Sequence, residues 1–350
     1  MDANLVRKIN RHYHEEEAAI YDMQHPEMFS RERETWRRLL RYLPAQADGL
    51  AVCDIGSGTG FVAEILLEKL GETASLILID ISPAMLARAS ERLRGKGKAR
   101  LTCIEAGAES LPLNDALCDV VAMNSVLHHI PNTEGFAKEV DRVLKPGGVV
   151  MIAHEPNRLF WQQPVLRILL WSLHKWLGVE HRVLRLMRRA FKRNHAASSY
   201  SAYERVYAAV NTLLMRDGDI QKPLSTEEIQ QYVDVHSPTA TGTADAAKGF
   251  LLQELSNTYF KGYAVRHLET SAHLGKYSTH TKGILAYIEK ALGALFPNSG
   301  SSFSFVAQKP LALVGSSPDI FMKNPMPVSA GAEDLSPRHG PGRDNIRAHR

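Results

Sequence analysis

Five short apolar runs alternate with helix-like segments between residues 51 and 155, and this alternation restricts the fold more than any other feature. The runs are AVCDIG (51–56), SLILID (75–80), ARLTCIEA (99–106), CDVVAMNS (118–125) and GVVMIAHE (148–155). Strand and helix repeated at this spacing build a parallel sheet with helices on both faces. The runs are almost continuously apolar, as strands are when both faces of a sheet are buried. We therefore predict an α/β fold with a largely parallel sheet.

The flanking segments complete the predicted organisation. Two late runs, YAVRHLETSAH (263–273) and SSFSFVAQK (301–309), have strand patterns and enclose an apolar helix. The predicted parts are a helical lid at 1–48, the sheet core at 49–155, a helical insert at 156–250, closing strands at 251–310 and a tail at 311–350. The tail holds five prolines and four glycines without periodicity. This composition predicts disorder.

Composition excludes several classes of protein. The chain has 44% hydrophobic and 23% charged residues, which is ordinary for a globular protein. Its first residues are too charged for a signal peptide, and no uncharged apolar stretch reaches the roughly 20 residues that span a bilayer. The three cysteines form no CxxC pair, so neither a disulfide framework nor a zinc site is indicated. We expect a cytoplasmic protein without a bound metal.

The stretch DIGSGTG (54–60) lies between the first predicted strand and the first helix, where backbone amides can face a ligand. A dinucleotide fingerprint would require Gly or Ala at position 61, and this chain has Phe61. Asp80 ends the second strand, where a carboxylate can accept hydrogen bonds from a ribose diol. Asp54 would repel a pyrophosphate but suits an ammonium group. A tight turn without a ligand is the alternative, but the two carboxylates favour a cofactor with a ribose and an amino-acid moiety.

With these residues the sequence resembles the class I S-adenosylmethionine-dependent methyltransferases, which have a Rossmann-like seven-stranded sheet. The matching segments are DIGSGTG (54–60), LIDISPAML (78–86), AESLPL (108–113), CDVVAMNSVLHHI (118–130) and RVLKPGGVVMI (142–152). Within the family the chain is most similar to the small-molecule branch that includes ubiquinone/menaquinone-type and sterol-type C-methyltransferases. LKPGG is interpreted as a turn that ends a helix and leads into the fifth strand.

The resemblance implies S-adenosyl-L-methionine as the cofactor and a role for each matching residue. Gly56, Gly58 and Gly60 would pass beneath its methionine part, and Asp80 would bind the ribose. Ile81, Ala108 and Glu109 would border the adenine, and Asn124 would lie beside the sulfonium. Relatives commonly have an Asp, which accepts from the adenine amino group, where this chain has Gly107. The departure implies that backbone amides or Glu109 hold the adenine.

Candidate catalytic residues follow the fourth and fifth strands, because ligands of open parallel sheets bind beyond the carboxyl ends of the strands. Methyl transfer needs alignment and desolvation, with a base only where the acceptor loses a proton. His128, His129 and His154 are the candidate bases, and Glu155 is a further one. Alternatively, these histidines only hydrogen-bond the backbone and shape the loop.

Residues 158–193 form an unusual insert rich in Leu, Trp and Arg. From Pro156 to His195 the chain has nine Lys or Arg residues and one acid, Glu180. Three interpretations remain: a helical cap, a basic amphipathic element that docks on a membrane surface, and a nucleic-acid contact. The fourth strand lacks the (D/N)PP(Y/F) sequence of base-amino methyltransferases, so we expect no DNA and consider RNA unfavoured.

The sequence therefore predicts methyl transfer to a small, lipophilic acceptor on carbon or oxygen. Two alternatives remain open at this point. The first is an RNA- or protein-directed methyltransferase, which the basic segment would favour. The second is a non-catalytic cofactor-binding protein, for which Gly107 is the only support.

Overall fold

The computed structural model describes residues 1–45, 48–165, 196–239, 247–275 and 284–311, together with positions 168, 169, 172, 175, 245 and 278. Residues Met1–Ala312 form one compact unit. The predicted tail beyond Leu311 and most of the basic segment 158–193 lie outside the described residues.

A seven-stranded sheet forms the centre of the fold. Its strands are β1 (Ala51–Ile55), β2 (Ser75–Asp80), β3 (Arg100–Glu105), β4 (Cys118–Asn124), β5 (Leu144–Pro156), β6 (Ala264–Ser271) and β7 (Ser302–Gln308). Their order is β3-β2-β1-β4-β5-β7-β6. The first five strands are parallel, and β7 runs antiparallel to both β5 and β6. The predicted largely parallel, seven-stranded sheet is confirmed.

Helices cover both faces of this sheet. Within the described residues the α-helices are α1 (Ala3–Glu17), α2 (Tyr21–Gln24), α3 (Arg31–Leu39), α4 (Phe61–Leu67), α5 (Pro83–Leu93), α6 (Thr133–Val143), α7 (Arg158–Gln162), α8 (Ala196–Arg216), α9 (Thr226–Val233), α10 (Leu252–Glu254) and α11 (Ile284–Leu295). One apolar cluster joins Trp36 and Leu66 to one face of the sheet, and a second joins Phe136 and Phe260 to the other. Burial on both faces explains why the strands are almost continuously apolar.

The N-terminal helix and the insert share an apolar cluster of their own. Ile9 and Tyr13 of α1 pack against Val206 and Val210 of α8 and Ile229 of α9. These contacts join segments that are about two hundred residues apart in the sequence. As a result, α1, α8 and α9 form one helical layer, with Arg7 and His14 of α1 reaching the carboxyl ends of the strands.

Strand β5 differs from its predicted course in two places. It begins at Leu144, so the predicted turn LKPGG belongs to the strand, with Gly147 at φ +80°. Near its other end the register with β7 shifts, because Ala153 pairs with Ser304 while Glu155 pairs with Phe303. This β-bulge has one extra residue, His154, at φ +59°.

Candidate functional site

A cleft of about 800 Å³, including its mouth open to solvent, lies beyond the carboxyl ends of β1, β2 and β4. Its volume is within the range of small-molecule sites. The lining includes these predicted site residues: Gly56, Gly58, Asp80, Ile81, Ala108, Glu109, Asn124 and His129. Four predicted residues do not line it, namely Asp54, Gly60, His128 and His154. The structure thus brings most of the predicted residues to one cleft.

The three glycines of the β1–α4 turn all have positive φ, and each has a different reason to lack a side chain. A Cβ on Gly56 (φ +63°) would collide with Val126, and a Cβ on Gly60 (φ +81°) would lie 3.0 Å from that of Ala89 on α5. A Cβ on Gly58 (φ +50°) would meet no atom within 4 Å. Gly60 therefore allows helix packing, while Gly56 and Gly58 keep the floor of the cleft bare.

Asp80 is the buried carboxylate at the cleft end of β2. Its Oδ2 accepts a hydrogen bond from the amide of Gly58 at 2.8 Å, and its Oδ1 accepts from the amide of Ser82 at 2.9 Å. Burial raises the pKa of Asp80, and these amides offset part of the rise. Each oxygen retains a second lone pair for a ligand hydroxyl.

Asp54 is only 1% exposed, and neither of its carboxylate oxygens has a hydrogen-bond partner among the described residues. Burial and the negative charge of Asp80 raise its pKa well above the usual range, while the amide of Ala63 lowers it slightly. An unpartnered buried carboxylate is costly. Its position directly before Ile55 and Gly56, which line the cleft, suits a ligand with a positive charge.

Glu109 lies in the cleft wall but is already engaged by the protein. Its Oε2 accepts from Arg7 Nε at 2.6 Å, and its Oε1 accepts from the Asn132 amide at 3.0 Å. Gly107 lies beside it in the lining, and a Cβ there would meet no atom within 4 Å. Glu109 thus connects α1 to the core, and the space beside Gly107 remains open.

Further polar contacts hold the N-terminal residues at the rim of the cleft. Arg11 pairs with Glu105 at 2.6 Å, and the Glu15 carboxylate accepts from Ser82 Oγ at 2.7 Å and from the Ala84 amide at 3.0 Å. Sequence reasoning missed these pairs. No local signal reveals them, because each pair joins residues that lie far apart in the sequence.

Asn124, at the end of β4, is held by two side chains of α3. Its Oδ1 accepts from Trp36 Nε1 at 2.8 Å, and its Nδ2 donates to Glu32 Oε2 at 3.1 Å. The other oxygen of Glu32 lies 3.2 Å from His154 Nε2. His154 lines a separate cavity of about 280 Å³ together with Glu32 and Trp36. The structure therefore separates His154 from His129. His129 follows β4 as predicted, whereas His154 and Glu155 lie within β5 and not after it, because the strand continues to Pro156.

His128 and His129 lie ring against ring, with centroids 4.0 Å apart. His128 Nδ1 donates to Glu155 Oε2 at 2.8 Å, while its Nε2 lies 3.6 Å from Asp234 Oδ1. His129 Nδ1 donates to the Val233 carbonyl at 2.7 Å and lies 3.3 Å from Asp234 Oδ1. Of the two imidazoles, only that of His129 reaches the cleft. Asp234 follows α9 and was not foreseen from the sequence.

The surroundings push the pKa values of the two histidines apart. Burial opposes the charged form of His128, but Glu155 and Asp234 outweigh it and raise its pKa. Burial, the charge of His128 and that of His14 lower the pKa of His129 well below its usual value. His129 is therefore neutral, and since Nδ1 carries its proton, Nε2 has the free lone pair.

The ligand atoms of His128, His129 and Asp234 lie within 4.8 Å of one another, a spacing at which three side chains could hold a metal ion. A ring nitrogen 2.7 Å from a carbonyl oxygen carries a hydrogen, so Nδ1 of His129 has no lone pair for a metal. We therefore interpret the cluster as two imidazoles in ring contact, of which His128 is hydrogen-bonded to Glu155 and His129 to the Val233 carbonyl.

The described part of the insert begins with Arg158, which donates to the Gly249 carbonyl and to Glu254. Farther on, Val165 is 58% exposed and Ile168 is 66% exposed. Among the described residues, no helix is long and apolar enough to cross a membrane.

Comparisons with known proteins find a matching family and several relatives. Residues 53–152 match the family described as "Methyltransferase domain". The chain is 29% identical over 184 residues to the ubiquinone/menaquinone biosynthesis C-methyltransferase UbiE of Xylella fastidiosa (strain M23), covering 52% of this chain and 69% of the relative. It is 31% identical over 136 residues to UbiE of Shewanella pealeana, covering 39% of this chain and 54% of the relative.

Solved structures that the comparison matched to this chain include a SAM-dependent methyltransferase from Aquifex aeolicus, at 22% identity and a TM-score of 0.34, covering 45% of this chain and 74% of that one. Another is a phosphoethanolamine N-methyltransferase from Haemonchus contortus in complex with S-adenosylhomocysteine, at 18% identity and a TM-score of 0.37, covering 44% of this chain and 33% of that one. Residues 53–152 therefore match a methyltransferase domain, and the chain is similar in sequence to the ubiquinone/menaquinone C-methyltransferases.

Proposed function

We propose that the protein transfers a methyl group from S-adenosylmethionine to a small lipophilic acceptor, on carbon or oxygen, with His129 as the general base. One observation carries the base assignment. His129 shares the cleft with Asp80 and the glycine turn, and it is a neutral imidazole whose Nε2 has a free lone pair. A neutral imidazole is the form that accepts a proton.

The residues of the cleft fit the cofactor group by group. Asp80 has lone pairs for the ribose hydroxyls, and the bare turn at Gly56 and Gly58 leaves room for the methionine part. The unpartnered carboxylate of Asp54 suits the ammonium group, directly or through water. Ile81 and Ala108 offer apolar contacts to the adenine. When bound, S-adenosylmethionine supplies an electrophilic methyl group on a sulfonium.

The chain's own part in the reaction is alignment, exclusion of water and movement of one proton. Asn124 is fixed by Trp36 and Glu32, so it is a rigid neighbour for the reacting groups. His129 Nε2 takes the proton that the acceptor loses. Asp234 then stabilises the imidazolium that forms, because its Oδ1 lies 3.3 Å from Nδ1.

Three observations support a lipophilic acceptor that enters from a membrane surface. The relatives are named for ubiquinone and menaquinone biosynthesis. Val165 and Ile168 at the start of the insert are exposed. The segment from Pro156 to His195 has nine basic residues and one acid. Exposed apolar groups next to basic ones are typical of peripheral membrane contacts.

The proposal is tested by incubating the purified protein with methyl-labelled S-adenosylmethionine and a total cell extract. Label that partitions into the organic phase supports a lipophilic acceptor and supplies a compound to identify. Label on RNA or protein would refute the small-molecule assignment. No transfer by a protein that still binds the cofactor would favour a non-catalytic role.

The base assignment predicts that His129→Gln lowers kcat about 10²- to 10⁴-fold while the Kd for S-adenosylmethionine changes less than about threefold. Loss of the lone pair at Nε2 removes the proton acceptor but no proposed cofactor contact. Single-turnover kinetics and calorimetry measure the two quantities. His267→Gln is the matched control, since His267 lies on β6 and contacts Ser304. An unchanged kcat in His129→Gln would exclude a base role.

Asp54→Asn is expected to stabilise the protein without ligand and to weaken cofactor binding. Because burial raises the folded-state pKa of Asp54, the unfolded state loses its proton first, and this group makes stability fall as pH rises above about 4. Urea unfolding at several pH values should show a higher midpoint and a weaker pH dependence in the variant. Cofactor affinity should fall about 10- to 100-fold with the loss of a charged contact. A lower midpoint would mean that the carboxylate has a structural partner.

Gly107→Asp is expected to tighten cofactor binding about three- to tenfold, the size of one hydrogen bond. The space beside Gly107 is open. We place the adenine next to it, where the new carboxylate would accept a hydrogen bond from the adenine amino group. Calorimetry with S-adenosylhomocysteine measures the change. Gly107→Ala is the control, because it adds a Cβ without an acceptor, and equal affinities of the two variants would contradict this adenine position.

A further inference from the structure

Glu155 is a fully buried carboxylate that gathers the polar groups of the loop after β4. Its Oε1 accepts from the amides of Val126 at 2.7 Å and Leu127 at 2.8 Å. Its Oε2 accepts from the His128 amide at 3.2 Å and from His128 Nδ1 at 2.8 Å. Its side chain is 0% exposed. Four donors around one buried carboxylate satisfy the hydrogen-bonding capacity of both its oxygens.

The bulge in β5 is the reason why Glu155 faces this loop. Ala153 packs in the apolar cluster with Trp36, while Phe303, which pairs with Glu155, belongs to the cluster on the opposite face. Directly paired residues of neighbouring strands point to the same face. One extra residue, His154, therefore turns Glu155 to the face opposite that of Ala153.

Two residues in the left-handed region make this arrangement possible. Ser125 has φ +56° and His154 has φ +59°. Ser125 Oγ donates to the His154 carbonyl at 3.1 Å, and its amide donates to the Ala153 carbonyl at 3.0 Å. Non-glycine residues in this region are strained and cluster at functional sites. The strain at the ends of β4 and β5 is thus coupled to the orientation of Glu155.

We propose that Glu155 is a positioning residue for the methyl transfer, which acts through His128 on the base His129. This inference rests on the proposed function. Glu155 fixes the loop that carries both histidines, and its hydrogen bond with His128 Nδ1 favours the charged form of that imidazole. His128 in turn contacts the ring of His129 and, together with it, Asp234.

The charged and titratable groups around His129 decide whether removal of the Glu155 carboxylate raises or lowers the pKa of His129. His128 lies on the same loop, Asp234 follows α9, and His14 and His25 come from the N-terminal residues. The charge of His128 lowers the pKa of His129, and Glu155 sustains that charge. Removing the Glu155 carboxylate therefore raises the pKa of His129. A carboxylate that acted directly on His129 would have the opposite effect.

The test is an NMR pH titration of the His128 and His129 ring protons in the full chain, which needs no acceptor. In Glu155→Gln we expect the pKa of His128 to fall and that of His129 to rise by about one pH unit. His128→Gln should raise the pKa of His129 by a similar amount and remain usable if Glu155→Gln fails to fold. In the double variant, the pKa of His129 should rise no more than it does in either single variant.

Turnover gives a second readout once an acceptor is known. Glu155→Gln should lower kcat about tenfold or more and move the acid limb of its pH profile upward, with the Kd for S-adenosylmethionine within about twofold. A pKa of His129 that stays constant or falls in both single variants would overturn the proposal. A separate measurement tests the base assignment. If His129→Gln retains full kcat, His129 is not the base, and Glu155 then has no positioning role either.

Discussion

The loops that follow parallel strands have backbone amides without partners in the sheet. At this site, buried carboxylates accept hydrogen bonds from those amides. Asp80 accepts the amides of Gly58 and Ser82, so it fixes the turn after β1 to the end of β2. Glu155 accepts the amides of Val126 and Leu127, so it fixes the loop after β4 to the end of β5. The shape of the cleft floor and the place of the histidines depend on these two anchors.

Asp54 differs from these two carboxylates because neither of its oxygens has a hydrogen-bond partner of good geometry among the described residues, and the nearby Ala63 amide offsets only part of the cost of its burial. Among the described residues near the cleft, Asp80 and Glu155 are therefore satisfied buried acids, whereas Asp54 is not. A buried acid without a partner destabilises a protein unless a ligand supplies the missing charge. This contrast is the physical basis for our proposal that Asp54 faces the positive end of the cofactor and Asp80 its ribose.

The helices over the cleft are joined to the rest of the protein by contacts of two kinds. Among themselves α1, α8 and α9 pack through apolar side chains such as Ile9, Val210 and Ile229. Towards the core, α1 relies on polar pairs, as between Arg7 and Glu109. Because α9 also leads into Asp234, the insert contributes to the site itself and holds His129 in its tautomer.

The sequence by itself determined the features that depend on local pattern. Apolar periodicity placed the seven strands within a few residues, and turn chemistry located Gly56, Gly58 and Asp80. The early start of β5 was missed because LKPGG has the composition of a turn, yet Leu144 pairs with Cys118.

Tertiary structure decided what depends on distant partners. These features are the pairing of His129 with Asp234, the contact of Arg7 with Glu109, the separation of His154 from the cleft and the bulge that turns Glu155 inward. Local propensity acts over a few residues, whereas these contacts arise only when packing of the whole chain brings remote segments together.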